Sequence, residues 1–250
     1  MSDNIESWGV SHVGFVRGNN EDVWEALDDE NFFIVADGMG GHRAGEVAAK
    51  EAVDALARIV RHKLLLKPRE KHTLSTLSEL IHSSIVDVNS IVYSIGNSDD
   101  SLRGMGTTLC CLIVGEEGVV YGHVGDSRIY RLRDGELKQL TEDHTLTVQL
   151  AAPDEDDDEE SGKFIYKNIL TRTIGNDPLI VPDVDMASIQ DGDMYLLCSD
   201  GLTDMLTPEE MQNILISSPT AQEGAQNLVD AALAAGGIDN ITLIALKITK

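Results

Sequence analysis

Asp-Gly occurs four times in the sequence, at 37–38, 134–135, 191–192 and 200–201, and the four pairs do not share one setting. Asp134-Gly135 lies between two alternating runs in YRLRDGELKQL, the signal of a two-residue hairpin, and Asp191-Gly192 is an ordinary loop entering a strand-like run. Asp37 and Asp200 differ. Each ends an apolar run, FFIVAD or YLLCSD, and each is followed by a helical pattern instead of a partner strand. Two more acids sit at strand ends, Asp126 in HVGDSR and Asp239 in GGIDNIT. Carboxylates gathered from distant strand ends repel one another in a low dielectric, so a cation must hold them. Oxygen ligands without clustered His or Cys select Mg²⁺ or Mn²⁺ over zinc, and the small glycine beside Asp37 lets the Gly38 carbonyl join as a further ligand. A structural cation site and simple helix capping by the same acids stay open at this point. The stretch HVGFVRGNNED adds Arg17, Glu21 and Asp22 in a turn-forming composition. The planar fork of Arg17 suits two oxygens of a phosphate group, and equally a salt bridge to the neighbouring acids.

The elements that must carry these residues come in groups. Residues 44–65 and 76–96 repeat apolar positions at helical spacing, with Thr76 and Glu79 as a capping box for the second, and a polar connector, KPREKHT, joins them. Between 107 and 140 the period changes to short β-branched or alternating runs broken by glycine, which predicts a meander of strands. YLLCS and ITLIALKI continue the strand series. TPEEMQNILISS and TAQEGAQNLVDAALAAG are helices with cap signals, the first combining Thr207, Pro208 and Glu210. Grouped strands and grouped helices predict an α+β fold, not an alternating α/β one.

Composition bounds the function. The 250 residues, 42% of them apolar, suffice for one domain spanning 1–250, and neither an internal repeat nor a linker interrupts them. A formal net charge of −24 argues against nucleic acid as partner and favours divalent cations near the surface. Seven acids form one run, DEDDDEE at 154–160. No apolar run approaches the ~20 residues of a membrane helix and the N-terminus does not read as a signal peptide, so the expectation is a soluble cytoplasmic protein without membrane association. Cys110, Cys111 and Cys198 lie inside apolar runs and read as core residues.

RGNNED, ADGMGGHRAGE, GMGTT, VGDSR, LTEDH, LTRTIG, CSDGLTD and GGIDNIT occur in the order and approximate spacing of the bacterial PPM family, the metal-dependent protein serine/threonine phosphatases. The resemblance runs from residue 8 to residue 248. It implies a four-layer α-β-β-α sandwich, two antiparallel sheets flanked by helix pairs, with a metal cleft at one end. It makes Asp37 the carboxylate bridging two Mn²⁺ or Mg²⁺ ions, with Gly38 lending its carbonyl and Asp200 and Asp239 completing the first metal's ligands. Asp22 and Glu21 would hold metal-bound waters, and Arg17 the substrate phosphate. Asp126, with Asp200 and Asp204, would form a third, weaker site. The implied reaction is hydrolysis of phosphoserine and phosphothreonine on proteins by a water bridging the metals, in a monomer opposing a cognate Ser/Thr kinase.

The chain departs from that pattern twice. Many eukaryotic members place a histidine, the proposed general acid, directly after Asp-Gly, where this chain has Met39; His42 follows and reads as a capping or packing residue. The segment 145–168 corresponds to a mobile flap, and here it carries the acidic run. The alternative to an active enzyme is a catalytically weak PPM-fold regulator that binds phosphoproteins, which a missing metal-site aspartate would mark; none is missing. A plain acidic cation buffer would leave Arg17 unexplained.

Seven adjacent negative charges beside a cleft that admits a phosphate dianion should slow acidic phosphoproteins and favour basic ones, an effect that salt screens over ~8 Å. Replacing residues 154–160 by a neutral Gly/Ser segment should leave metal affinity and p-nitrophenyl phosphate turnover within about threefold, less than one kcal/mol. The same replacement should narrow the kcat/KM difference between basic and acidic phosphopeptides, most at low salt; equal discrimination before and after would mark the run as a solvated loop.

Overall fold

Strand β3 (Phe32–Met39) explains why the apolar runs are continuous where half-buried strands would alternate. Phe33 and Val35 point into one core, whereas Phe32, Ile34 and Ala36 point into another, so both faces of the strand are covered. Strand β5 (Leu109–Val114) divides the same way, Cys110 and Leu112 to one side and Leu109, Cys111 and Ile113 to the other. A period of two survives, but both phases are apolar.

The structure, a computed structural model, describes residues 4–40, 43–66, 72–151 and 164–249. One sheet has the order β11 (Asp183–Ala187), β6 (Val119–Val124), β5, β3, β2 (Asp22–Leu27), with β4 (Gly106–Thr107) pairing β3. The other runs β1 (Asn4–His12), β13 (Ile241–Thr249), β12 (Met194–Cys198), β7 (Arg128–Arg133), β8 (Glu136–Gln139). All pairings are antiparallel. Between the sheets lies a core that includes Phe33, Leu112, Ile129, Tyr195, Leu197 and Ile244. Helices α1 (Arg43–Leu65) and α2 (Leu74–Ser98) cover the first sheet, burying Ala48, Ala52 and Leu56 from one and Ile81, Ile85 and Val92 from the other. The short α3 (Asp200–Thr203) with α4 (Pro208–Ser217) and α5 (Ala221–Ala234) covers the second, through Leu202, Met211, Leu215 and Leu228. The result is an α+β fold, as the grouped elements predict, in the α-β-β-α sandwich that the resemblance implies.

Local signals hold in detail with two corrections. The Thr207 hydroxyl accepts the Glu210 amide while the Glu210 carboxylate accepts the Thr207 amide, a full capping box with Pro208 in the first helical position. Asp134 (φ 51°) and Gly135 (φ 81°) make the hairpin turn between β7 and β8. The cap of α2 is Thr73, not Thr76 with Glu79: the Thr73 side chain accepts the Thr76 amide, and the helix begins at Leu74, which packs against the same core as Leu77 and Ile81. The second concerns a pair of strands the sequence reading did not foresee: the flap segment 145–168 begins in β9 (Thr145–Ala151), which pairs with β10 (Phe164–Leu170), since TLTVQLA and FIYKNIL are themselves β-branched and alternating. The acidic run 154–160, His42, and residues 67–71 of the connector lie outside the described residues. The three cysteines are buried and unpaired, and burial pushes the Cys111 and Cys198 thiols up to about 12. No described helix is long and apolar enough to cross a membrane.

Leu197 is fully buried between the sheets, three residues before Asp200. Leu197→Ala should cost about 2–5 kcal/mol of unfolding free energy in urea titrations. Leu179, 87% exposed, is the control, and its change to alanine should stay within about 0.5 kcal/mol.

Candidate active site

Asp22 and Asp37 face each other as a cross-strand pair of β2 and β3, and Asp200 opens α3 directly after β12. Asp239 stands two residues before β13. Four elements from two sheets therefore end at one place. Asp37 and Asp200 come within hydrogen-bonding reach of each other, and Asp22, Asp126 and Asp239 each act electrostatically on one or both. Among the described residues, no basic side chain reaches salt-bridge distance of Asp22, Asp37, Asp126 or Asp200. Asp22 Oδ1 and Asp200 Oδ1 are buried without any hydrogen-bond partner.

The electrostatic consequence is large. Burial pushes the Asp22 carboxyl up to about 6, although the Ser199 hydroxyl, donating at 2.8 Å, pulls the other way. Burial and then Asp126 raise Asp200 to about 7, and burial, Asp22 and Asp200 hold Asp37 well above the usual carboxylate range. Asp126 is raised by burial and by Asp143. These acids fit a divalent cation in their midst: hard oxygen donors, buried lone pairs without donors, and, among the described residues, no cationic side chain in salt-bridge contact with Asp22, Asp37, Asp126 or Asp200.

The neighbours fix the backbone around this charge. The Asp37 amide donates to Thr108 Oγ1 at 2.9 Å, while the Asp37 carbonyl accepts from the Thr108 amide and Thr107 Oγ1, both at 2.8 Å. Thr108 Oγ1 in turn shares a 2.7 Å hydrogen bond with Ser127 Oγ. Asn240 ties the RGNNED loop to the last strand: its Nδ2 donates to the Val13 and Asn19 carbonyls, and its Oδ1 accepts the Glu21 amide at 2.8 Å. Close approach needs glycine at two points. A Cβ on Gly38 would overlap the Gly45 carbonyl at the start of α1, and one on Gly201 would overlap the Asn240 carbonyl. Thr108, Ser127 and Asn240 lie in GMGTT, VGDSR and GGIDNIT, yet residue chemistry alone assigns them nothing, because their work is done by short hydrogen bonds to backbone far away in sequence.

The other expected site residues fall nearby. Arg17 is half-exposed and donates to Asp239 at 2.6 Å, with Asp37 and Glu21 near enough to act on its charge. Glu21 accepts from Asn19 Nδ2, and its carbonyl accepts the Gly38 amide at 3.2 Å. Asp204 is exposed at the end of α3, and its charge still reaches Asp126 and Asp200.

A second cluster needs a different reading. His123, His144 and Asp183 bring three ligand atoms within 4.8 Å. The Gly125 amide donates to His144 Nδ1, which puts the ring proton on Nε2, aimed at Asp183 at 3.0 Å. His123 Nε2 meets the Glu142 carbonyl. His144 thus engages both ring nitrogens and His123 its Nε2 in structural hydrogen bonds, and Arg172 holds the Asp183 carboxylate from the other side. A cavity of about 680 Å³ opens beside Tyr121, His123, Glu142 and Asp183, and none of Asp22, Asp37, Asp200 or Asp239 lines it.

A family model described as protein phosphatase 2C matches residues 17–235. The serine/threonine phosphatase stp of Listeria monocytogenes serotype 4b is 39% identical over 237 residues, 94% of this chain and 92% of that protein. The solved Mycobacterium tuberculosis serine/threonine phosphatase PstP/Ppp superposes with a TM-score of 0.81 at 30% identity, over 98% of this chain and 99% of the other. The catalytic domain of PstP in complex with two manganese ions gives 0.77 at 32% identity, over 98% and 99%. With that agreement along nearly its whole length, the chain belongs to the protein phosphatase 2C family, the bacterial PPM type, and is a protein-serine/threonine phosphatase.

Proposed function

We propose that Asp37, Asp200 and Asp239, with the Gly38 carbonyl, hold two Mn²⁺ or Mg²⁺ ions, that Asp22 and Glu21 orient the water around them, and that Asp126, Asp200 and Asp204 form a third, weaker site. The observation that carries this reading is the pair of buried, unpartnered oxygens on Asp22 and Asp200 beside Asp37. Left as bare carboxylates they would either protonate or destabilise the fold, whereas a divalent cation satisfies them outright. Manganese in the related PstP structure supports the choice of metal.

When bound, the cations supply Lewis-acid stabilisation of phosphoryl charge and an activated water for direct hydrolysis. The chain's own residues do the rest. Arg17 offers a planar fork to the phosphate of a phosphoserine or phosphothreonine, and Asp239 holds that fork at the mouth of the cleft. Thr108, Ser127 and Asn240 keep the Asp37 backbone and the RGNNED loop in register, so the geometry is set before substrate arrives. Met39 cannot carry a proton, so no side chain directly after Asp37-Gly38 acts as general acid. We read the chain as a single catalytic domain over 1–250, a cytoplasmic monomer that reverses the work of a cognate Ser/Thr kinase.

The purified chain should hydrolyse p-nitrophenyl phosphate and phosphothreonine peptides with Mn²⁺ or Mg²⁺, and EDTA should abolish both; activity surviving exhaustive chelation would overturn the metal assignment. Asp37→Asn and Asp239→Asn should each lower kcat by at least about a hundredfold. Calorimetric titration should show weaker Mn²⁺ binding to both. Arg17→Ala should raise KM about tenfold, the worth of a charge-assisted hydrogen-bonded contact. An unchanged KM would remove Arg17 from the phosphate site.

A further inference from the structure

The proposed catalytic ion pair is flanked by apolar side chains that the fold leaves in water. Phe15 and Val16, each 69% exposed, immediately precede Arg17, and Ile238, 51% exposed, immediately precedes Asp239. Because Arg17 and Asp239 join at 2.6 Å, the two short segments run side by side. Their backbones are fixed: the Phe15 amide donates to the Gly237 carbonyl at 2.7 Å, the Val13 carbonyl accepts from Asn240, and the Gly14 amide donates to His12 Nδ1 at 2.9 Å. The Phe15 ring lies over Gly237 and makes an edge contact with His12, centroids 6.1 Å apart. Exposure here is therefore built in, since the chain is pinned while the ring and both aliphatic side chains face out. Scattered exposed apolar residues need no explanation, but three grouped on one rigid rim mark a contact surface.

We propose that Phe15, Val16 and Ile238 form an apolar lip that binds an aliphatic side chain of the phosphoprotein substrate, one or two residues from the phosphoserine or phosphothreonine. The inference rests on Arg17 holding the phosphate. An extended chain advances about 3.3–3.6 Å per residue and Phe15 lies two residues from Arg17 in sequence, so a residue one or two places from the one gripped by Arg17 is within reach of Phe15. The occupant's character follows from the surroundings. At a net charge of −24 the surface as a whole repels acidic phosphopeptides, and a neutral lip gives affinity that does not depend on charge. The favoured substrates are phosphosites with Leu, Ile, Val or Met beside the phosphoresidue and few acids around it.

The test uses two phosphothreonine peptides identical except for Leu or Ser on either side of the phosphoresidue, assayed with Mn²⁺, each kcat/KM divided by that of p-nitrophenyl phosphate for the same enzyme. Wild type should prefer the Leu peptide about five- to tenfold, the scale of partly burying one aliphatic side chain. Phe15→Ser and Ile238→Ser should each cut the preference to about twofold or less, and Phe15→Leu should keep most of it. Equal ratios in wild type and both serine variants, with hydrolysis intact, would overturn the lip and leave the phosphatase site standing. Absence of hydrolysis in wild type would overturn both. If Phe15→Ser changed only the sedimenting mass, with peptide preference unmoved, the rim would be a contact between two copies of the chain and the proposal would fail.

Discussion

Mutual repulsion among aspartates is the constraint to which the rest of this fold answers. Asp22, Asp37 and Asp200 are crowded at the sheet ends, with Asp126 and Asp239 close by, and among the described residues no basic side chain forms a salt bridge with the three at the centre. Left to themselves, flexible loops would spread such charges into water. They stay together because each is attached to an element it cannot leave: Asp22 and Asp37 to a paired register, Asp200 to the first turn of α3, Asp239 to the entrance of β13. The two faces of the inter-sheet core supply the force. Burying Phe33, Leu112, Tyr195 and Leu197 sets the spacing of the sheets, and that spacing sets how close Asp37 comes to Asp200.

Hydrogen bonds then remove the freedom that packing leaves. The Asp37 backbone is held at both its amide and its carbonyl by the pair Thr107-Thr108, and Thr108 is itself held by Ser127 next to Asp126. A shift of one acid thus drags the loop of another. Asn240 does the same across the sheets, one side chain bonding to three backbone groups of residues 13 to 21. Amide side chains suit this role because one end donates and the other accepts without adding charge to a site that already has too much.

Much of this was legible in the amino-acid sequence, for reasons that differ by residue. The comparison of four Asp-Gly pairs separated Asp37 and Asp200 from the turns at Asp134 and Asp191, because local chain context decides which pairs are turns. The grouping of strands and helices was readable since both period-2 and period-3.6 patterns are long here. That Asp22, Asp126, Asp239 and Arg17 converge came from their motifs' order, because residues far apart in sequence carry no local signal of meeting. Three things were not legible. The cap of α2 at Thr73 depends on which of two threonines accepts a backbone amide with its hydroxyl. The pairing of β9 with β10 was masked by the charge between them. Thr108, Ser127 and Asn240 act through backbone partners that only the folded chain brings near.

The net charge sets two demands against each other. An acidic surface concentrates the divalent cations on which the family depends, yet it opposes the approach of a phosphate dianion on a protein chain. Long-range attraction therefore cannot deliver the substrate, and recognition has to be local. Under the proposed assignment Arg17, half-exposed and held by Asp239, would be such a local device: at 2.6 Å the pair is nearly neutral from a distance, and only a group close enough to share the guanidinium would feel it as positive. Apolar contact beside that pair works over the same short range and costs nothing in electrostatic terms. A phosphatase built on a carboxylate cluster this dense thus has a physical reason to keep hydrophobic residues at its rim, where a less acidic enzyme could rely on basic ones.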